Sequence, residues 1–182
     1  MAQIGYMLVG IGMANVTGLT AALLHVFNHA LMKGALFLAL GAICYRIGNT
    51  RIDRIYGLGK QMPWTMAAFV AGGLSLIGIP LTAGFISKWY LILAATERGW
   101  WPVIAVIVVS SLIAVMYIWR VVEAVYLKPR PEGIAAVSEA PLSLLLPTWV
   151  LVLANFYFGI SPELLTSLVG EVAEMLFAGY SL

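Results

Sequence analysis

The sequence predicts an all-α integral membrane protein of about five hydrophobic segments, one of them a broken transmembrane helix, followed by a C-terminal interfacial helix. Three observations carry that reading. Hydrophobic residues make up 62% of the 182-residue chain and charged residues only 10%, at a mean hydropathy of +0.98, far outside the usage of a water-soluble domain. The apolar residues fall into runs on the scale of a bilayer crossing, which takes about 20 helical residues. The charges collect between those runs and do so unevenly, with one sign dominating alternate connections.

Met1 to Met13 is the first segment, short for a crossing, as though a helix were cut at its start or lay partly buried among others. It has neither the basic leader nor the small-residue cleavage site of a secretory signal, so it reads as a retained helix. Gly18 to Tyr45 is a full span, Trp64 to Thr96 is over-long, and Trp100 to Leu127 and Pro141 to Ile160 are spans of ordinary length. Residues 1–160 thus form the membrane domain. The tail, 161–182, opens with Ser161-Pro162-Glu163, an N-cap, a proline at the first helical position and an acid in the first turn. Leu164, Leu165, Leu168, Val172, Met175 and Leu176 fall mainly on one face of that helix and Ser167, Gly170, Glu171 and Glu174 elsewhere, a pattern for lying in the interface.

The loops orient the chain. Arg46, Arg51, Arg54 and Lys60 stand against Asp53 alone in one connection, and Arg120, Lys128 and Arg130 cluster at the other even-numbered one. Loops 46–63 and 120–140 are therefore expected on the cytoplasmic side, with Ala14 to Thr17, Glu97 to Gly99 and the acidic tail facing outward. A prokaryotic inner membrane is the expected location. The net charge of +2 is explained by this asymmetry and requires no nucleic-acid partner. The single cysteine, Cys44, excludes an internal disulfide and a zinc-type cluster, and no cofactor is expected. Glu123 reads as the partner of Arg120 three residues before it, and Lys128 to Pro141 as a solvent-exposed connection.

Within the over-long segment, Gly78-Ile79-Pro80 and Ala83-Gly84 interrupt the helical pattern near its middle. Pro80 removes a backbone donor and clashes with the preceding turn, while Gly78 and Gly84 tolerate unusual backbone angles, so all three mark a break. Irregular backbone at membrane depth is tolerated only inside protein or along a wet cavity, and transporters place ion sites there. Thr82 and Ser87 are positioned to hydrate it.

Lys88 follows directly, ending an uncharged stretch from Gln61 to Ser87, and Lys33 stands in a similar setting before the apolar run Gly34 to Tyr45. An ionisable group at bilayer depth is expensive in lipid and usually marks a proton or ion path. His25, His29 and Lys33 recur every four residues, which places them along one helical face with a rise of about 6 Å per step. Histidine titrates near neutrality and a desolvated lysine can release its proton, so the three suit a water-linked relay. Asn28 adds a hydrogen-bonding group nearby. His25 and His29 also have the spacing of a zinc-binding pair, but the catalytic glutamate of the protease motif and a third ligand are missing, so no metal is expected. Tyr117, Ser110 and Ser111 are further polar groups that a path or helix packing would use equally.

The stretches Ala2-Gln3-Ile4-Gly5-Tyr6, HxxxHALMKGALFL from His25 to Leu38, and Gly78 through Lys88 together resemble the proton-translocating antiporter-like subunits shared by Mrp-type cation/proton antiporters, respiratory complex I and membrane-bound hydrogenases. Gly57-Leu58-Gly59-Lys60, Met62-Pro63-Trp64 and Phe85-Ile86-Ser87-Lys88-Trp89-Tyr90 look most like the D-type component of the Mrp antiporters. The resemblance implies that His25, His29 and Lys33 lie on the relay helix and that Lys88 is the lysine of the discontinuous helix. It further implies two inverted repeats in the family, of which this chain matches the C-terminal part only, without the first repeat and its glutamate–lysine pair.

The expected function is proton translocation within a multisubunit Na+/proton antiporter, with other subunits, the lipid bilayer, protons and monovalent cations as partners and no substrate chemically changed. The alternatives are a membrane-arm subunit of complex I or a hydrogenase, driven by redox chemistry elsewhere, and a non-conducting scaffold or truncated fragment.

Overall fold

Apolar runs become helices because lipid offers no partner to a free backbone amide, and they stop where proline, glycine or a cap supplies another arrangement. The computed structural model of the protein describes residues 2–131 and 136–179. Over them run α1 (Ala2–Gly12), α2 (Val16–Ile47), α3 (Pro63–Ile77), α4 (Ala83–Glu97), α5 (Trp101–Val122), α6 (Leu142–Ile160) and α7 (Glu163–Gly179). No strand occurs among the described residues. The helices Val16–Ile47, Trp101–Leu127 and Leu142–Ile160 are long and apolar enough to cross a membrane. The over-long segment is two half-helices, α3 and α4, as the glycine and proline spacing requires.

The hub of the fold is α2, with α1, α3, α4, α6 and α7 all packed on it, while α5 lies against α3 and α4. Asn15 starts α2 by accepting the Gly18 N–H at 2.9 Å. The same side chain and Thr17 donate to Glu97 at 2.9 and 2.8 Å, which ties the start of α2 to the end of α4. Gly48, at φ 65°, closes the far end of α2 with its N–H on the Cys44 carbonyl. The helix α7 seats Ala173 fully in the core and leaves Leu164, Leu168, Val172, Met175 and Leu176 exposed.

At the arginine-rich end, two expectations are corrected. The described part of the 128–141 connection is not a solvated strand of chain. The Glu139 carboxylate accepts the Trp64 N–H at 2.8 Å, the Thr65 hydroxyl at 2.5 Å and the Ala140 N–H at 2.8 Å. Arg46 donates to the Glu139 carbonyl, and Gln61 accepts the Val137 N–H. The reason is that Met62, at the N-cap of α3, has no side chain able to cap, so the first amides of α3 need an outside acceptor. Ala140 then packs with Ile55, Leu58, Met62, Met66 and Val125.

The second correction concerns Glu123, which pairs with Lys128 at 3.5 Å and not with Arg120. Residues Glu123–Leu127 form a π turn, with the Lys128 N–H on the Glu123 carbonyl. That wider turn brings residues five apart, not three, over one another.

Candidate functional site

The break in the over-long segment shows how a half-helix ends inside apolar surroundings. Gly78 adopts φ 88°, which a Cβ would strain, and its N–H bonds to the Leu74 and Ser75 carbonyls at 3.1 and 3.0 Å. The Ile79 N–H reaches the Leu74 carbonyl as well, completing a Schellman closure of α3. Two terminal carbonyls, Leu76 and Ile77, remain. Lys88 takes both, its Nζ donating at 3.1 and 2.7 Å, and it gives a third bond to the Ser111 hydroxyl at 3.0 Å.

Lys88 is 5% exposed. The ion pairs Arg51–Asp53 and Lys128–Glu123 lie in the arginine-rich loops, so the Lys88 ammonium is held by carbonyl dipoles and a hydroxyl and not by either of those acids. The negative end of the α3 dipole faces it. Its position follows from register: Gly78 is close enough to the Lys88 stem that a Cβ at Gly78 would meet Cδ at 2.9 Å.

The start of α4 is sewn to the end of α3. The Ser75 hydroxyl accepts the Gly84 N–H at 3.3 Å and donates to Asn155 Oδ1 on α6 at 2.8 Å. A Cβ on Gly84 would overlap the Ser75 carbonyl, so only glycine permits the two half-helices to approach this closely. Asn28, on α2, donates to the Ala83 carbonyl at 2.7 Å, and its own Oδ1 has no hydrogen-bond partner among the described residues. Thr82 turns its hydroxyl onto the Ile79 carbonyl at 2.6 Å, and Pro80 lies in the exposed part of the turn.

His25 is completely buried and bonded at both ring nitrogens, Nδ1 to the Ser87 hydroxyl at 2.8 Å and Nε2 to Gln3 Oε1 at 2.9 Å. A neutral ring satisfies this set by donating from Nε2 and accepting the Ser87 hydroxyl proton at Nδ1. A charged ring donates from both nitrogens, and Ser87 then turns its proton to the Gly84 carbonyl at 3.3 Å. The site therefore accommodates either protonation state without displacing a heavy atom.

Tyr6 touches both His25 and Lys88. Its ring stands edge-on to His25 at 5.4 Å, and the Lys88 ammonium sits over it at 5.2 Å. Its hydroxyl bonds to Ser110 on α5. The titratable ladder is less uniform than a spacing of four suggests. His29 stacks on His25 at 6.1 Å, and Lys33, half-buried like His29, lies over the Phe37 ring at 5.5 Å. Four residues overshoot one turn of 3.6, so each step swings about 40° around the helix and Lys33 sits about 80° round from His25.

The site thus joins Lys88, His25, Ser87 and Thr82 to the Gly78, Pro80 and Gly84 break, and keeps Lys33 apart from it. Residue-by-residue reading of the sequence missed Gln3, Tyr6, Ser75, Asn155 and Glu139 as working members. Asn155 did carry a signal, as the only amide side chain in an otherwise apolar span; Glu139 carried none, since its role depends on a partner 74 residues away.

The same arrangement of helices occurs in known proteins. The family described as NADH:quinone oxidoreductase/Mrp antiporter, transmembrane, matches residues 1–114. NADH-quinone oxidoreductase subunit N of Desulforudis audaxviator is 42% identical over 184 residues, covering 94% of this chain and 37% of the relative. A chain of the Mrp complex from a Dietzia species superposes with a TM-score of 0.86 at 28% identity, over 96% of this chain and 41% of its own. A chain of an archaeal membrane-bound sulfane sulfur reductase gives 0.84 at 38% identity, over 91% and 27%. The chain spans well under half the length of each of these relatives.

Proposed function

We propose, from the premise that the chain belongs to the NADH:quinone oxidoreductase/Mrp antiporter transmembrane family, that it carries protons across part of a bilayer within a multisubunit complex. The observation that carries this reading is Lys88, an ammonium buried at a helix break and held by two carbonyls, a hydroxyl and the face of the Tyr6 ring. A carboxylate partner would pin the charge; carbonyls and a hydroxyl do not. His25 and Ser87 form the second station, able to hold or release a proton by turning one hydroxyl. His29 and Lys33, both half-buried, continue the line along α2, where further protein would cover them. Gly78, Pro80 and Gly84 act as the hinge region, and Thr82 and Ser87 line the path beside it. Asn28 Oδ1, buried and still able to accept, suits an ordered water between stations.

The assembly we propose is a multisubunit Na+/proton antiporter with loops 46–63 and 120–140 in the cytoplasm of a prokaryotic cell, supported by the fold likeness to the Mrp complex. The 42% identity with an NADH-quinone oxidoreductase subunit supports a second reading, in which redox chemistry in partner subunits drives the same residues. Sodium-dependent or NADH-dependent proton uptake by everted vesicles separates the two.

The test of the mechanism is proton flux in everted vesicles carrying the complete native assembly, comparing the parent with Lys88→Ala at matched complex abundance. Flux is expected to disappear with the complex intact. Unchanged flux sinks the claim that Lys88 carries protons and leaves the chain as a scaffold.

A further inference from the structure

Three features around Tyr6 are not accounted for by proton-carrying groups alone. Tyr6 is 5% exposed, and its ring makes a T-shaped contact with His25 and carries the Lys88 ammonium over its face. Its hydroxyl does not turn toward either carrier; it is fastened to Ser110, on a different helix. Beside the ring lies an apolar groove of about 430 Å³ between α1 and α5, which Tyr6 and Ser110 themselves line together with Gly5, Val9, Val106 and Ile107. A phenol ring is one of the few side chains that can both exclude water over its apolar body and be pinned by a single polar tip.

We propose that Tyr6 is the barrier that separates His25 from Lys88, latched shut by Ser110, and that its swing into the α1–α5 groove joins the two stations. The inference rests on the proton-transfer reading above and adds a positioning residue to it. In the latched state the ring, in contact with both stations, keeps water from joining them. Proton transfer along water needs a continuous line of donors and acceptors, and an aromatic carbon surface supplies none. Release costs one hydroxyl–hydroxyl bond and returns Tyr6 to an apolar surface, so the open state is a minor population that can be reached. Gly5 places no side chain beside the ring, with open space where its Cβ would be. The Ser110 hydroxyl keeps a second partner, the Ile107 carbonyl at 3.0 Å, so it is not stranded when Tyr6 leaves.

The latch and the barrier are separable by substitution. Tyr6→Phe and Ser110→Ala both keep the ring and remove the latch, so each should raise passive proton leak by about 2- to 10-fold, the population change that one ordinary net hydrogen bond produces. The double variant should leak no more than either alone, because both remove the same bond. Tyr6→Ala removes the barrier itself and should leak more than any of these.

The measurement is the decay of an imposed pH gradient in everted vesicles holding the full native complex, in choline medium free of Na+ and K+ and without redox substrate. Leak equal to that of the parent in Tyr6→Ala, at matched complex abundance, overturns the barrier. If Tyr6→Ala fails to assemble, the milder pair decides: parent-like leak in both Tyr6→Phe and Ser110→Ala overturns it equally. Adding Lys88→Ala to Tyr6→Ala should abolish the extra leak; a leak that persists shows loosened packing and also overturns the proposal. Lys88→Ala alone keeps the two readings distinct. Retained driven flux there defeats the proton-transfer reading, whereas lost flux together with tight Tyr6 variants defeats the barrier only.

Discussion

Glu139 and Lys88 hold opposite ends of one half-helix. The carboxylate accepts the Trp64 N–H and the Thr65 hydroxyl in the first turn of α3, and the ammonium takes the last two carbonyls at Leu76 and Ile77. Each charge complements the dipole end that it meets. A helix of this length, Pro63–Ile77, spans about 22 Å at 1.5 Å per residue, so a loop contact and a buried lysine at bilayer depth are linked through one rigid element.

Lys88 should therefore contribute to stability as well as to flux. Lys88→Met keeps an apolar stem of similar length but leaves the Leu76 and Ile77 carbonyls without their donor, at a cost of about 1–3 kcal/mol for each buried group left unpaired. Equilibrium unfolding in mixed micelles measures this. A variant as stable as the parent would show that the carbonyls find other donors and that the ammonium is not their cap.

Glu139→Ala is expected to destabilise by about 1–2 kcal/mol through loss of an N-cap, and Glu139→Gln by less, because an amide oxygen still accepts. Hydrogen exchange at the Trp64 amide reads the cap directly. Exchange should quicken in the alanine variant; protection equal to the parent's would mean that the loop does not cap α3.

Gly84→Ala should cost about 3 kcal/mol, because its methyl would overlap the Ser75 carbonyl and push the two half-helices apart. Gly41→Ala, with nothing within 4 Å of the new methyl, is the matched control and should be close to neutral. Equal effects at the two sites would remove the close approach as the reason for glycine at Gly84.

In the arginine-rich loop, the side-chain hydrogen bond from Arg51 holds the Asp53 carboxyl below the ordinary aspartate range. A lowered pKa means that the folded state binds fewer protons than the unfolded one. The associated stability is present above the ordinary aspartate pKa and fades as pH falls through the lower folded value. Because the Asp53 side chain is about half exposed, the effect is read best as a titration midpoint. The carboxyl-carbon NMR midpoint should rise toward the ordinary value in Arg51→Ala, and an unmoved midpoint would assign the shift to another cause.

Much of the architecture was legible before folding. The segment ends differ from the helices found by only a few residues, because proline, glycine and the loss of apolar character act locally. The break at Gly78 was legible for the same reason, since a proline and a glycine disrupt a helix whatever surrounds it. Lys33 and Lys88 stood out equally in one dimension, yet Lys88 bonds the carbonyls at the break while Lys33 lies over Phe37 on α2. Glu123 shows a related miss: a spacing of three implies an α-helical pair with Arg120, and the π turn that redirects it to Lys128 has no mark in the local sequence.

By itself, the order of residues determined that this chain is a bundle of apolar helices, where one of them breaks, and which few ionisable groups lie at depth, since each depends on transfer free energies and backbone chemistry that act over a turn or two. Only the tertiary structure decided which groups meet. Gln3 and Ser87 on His25, Tyr6 against His25 and Lys88, Asn155 on Ser75 and Glu139 on Thr65 are contacts across 22 and 62, 19 and 82, 80 and 74 residues of chain, fixed by helix rotation and close approach, to which local composition is blind.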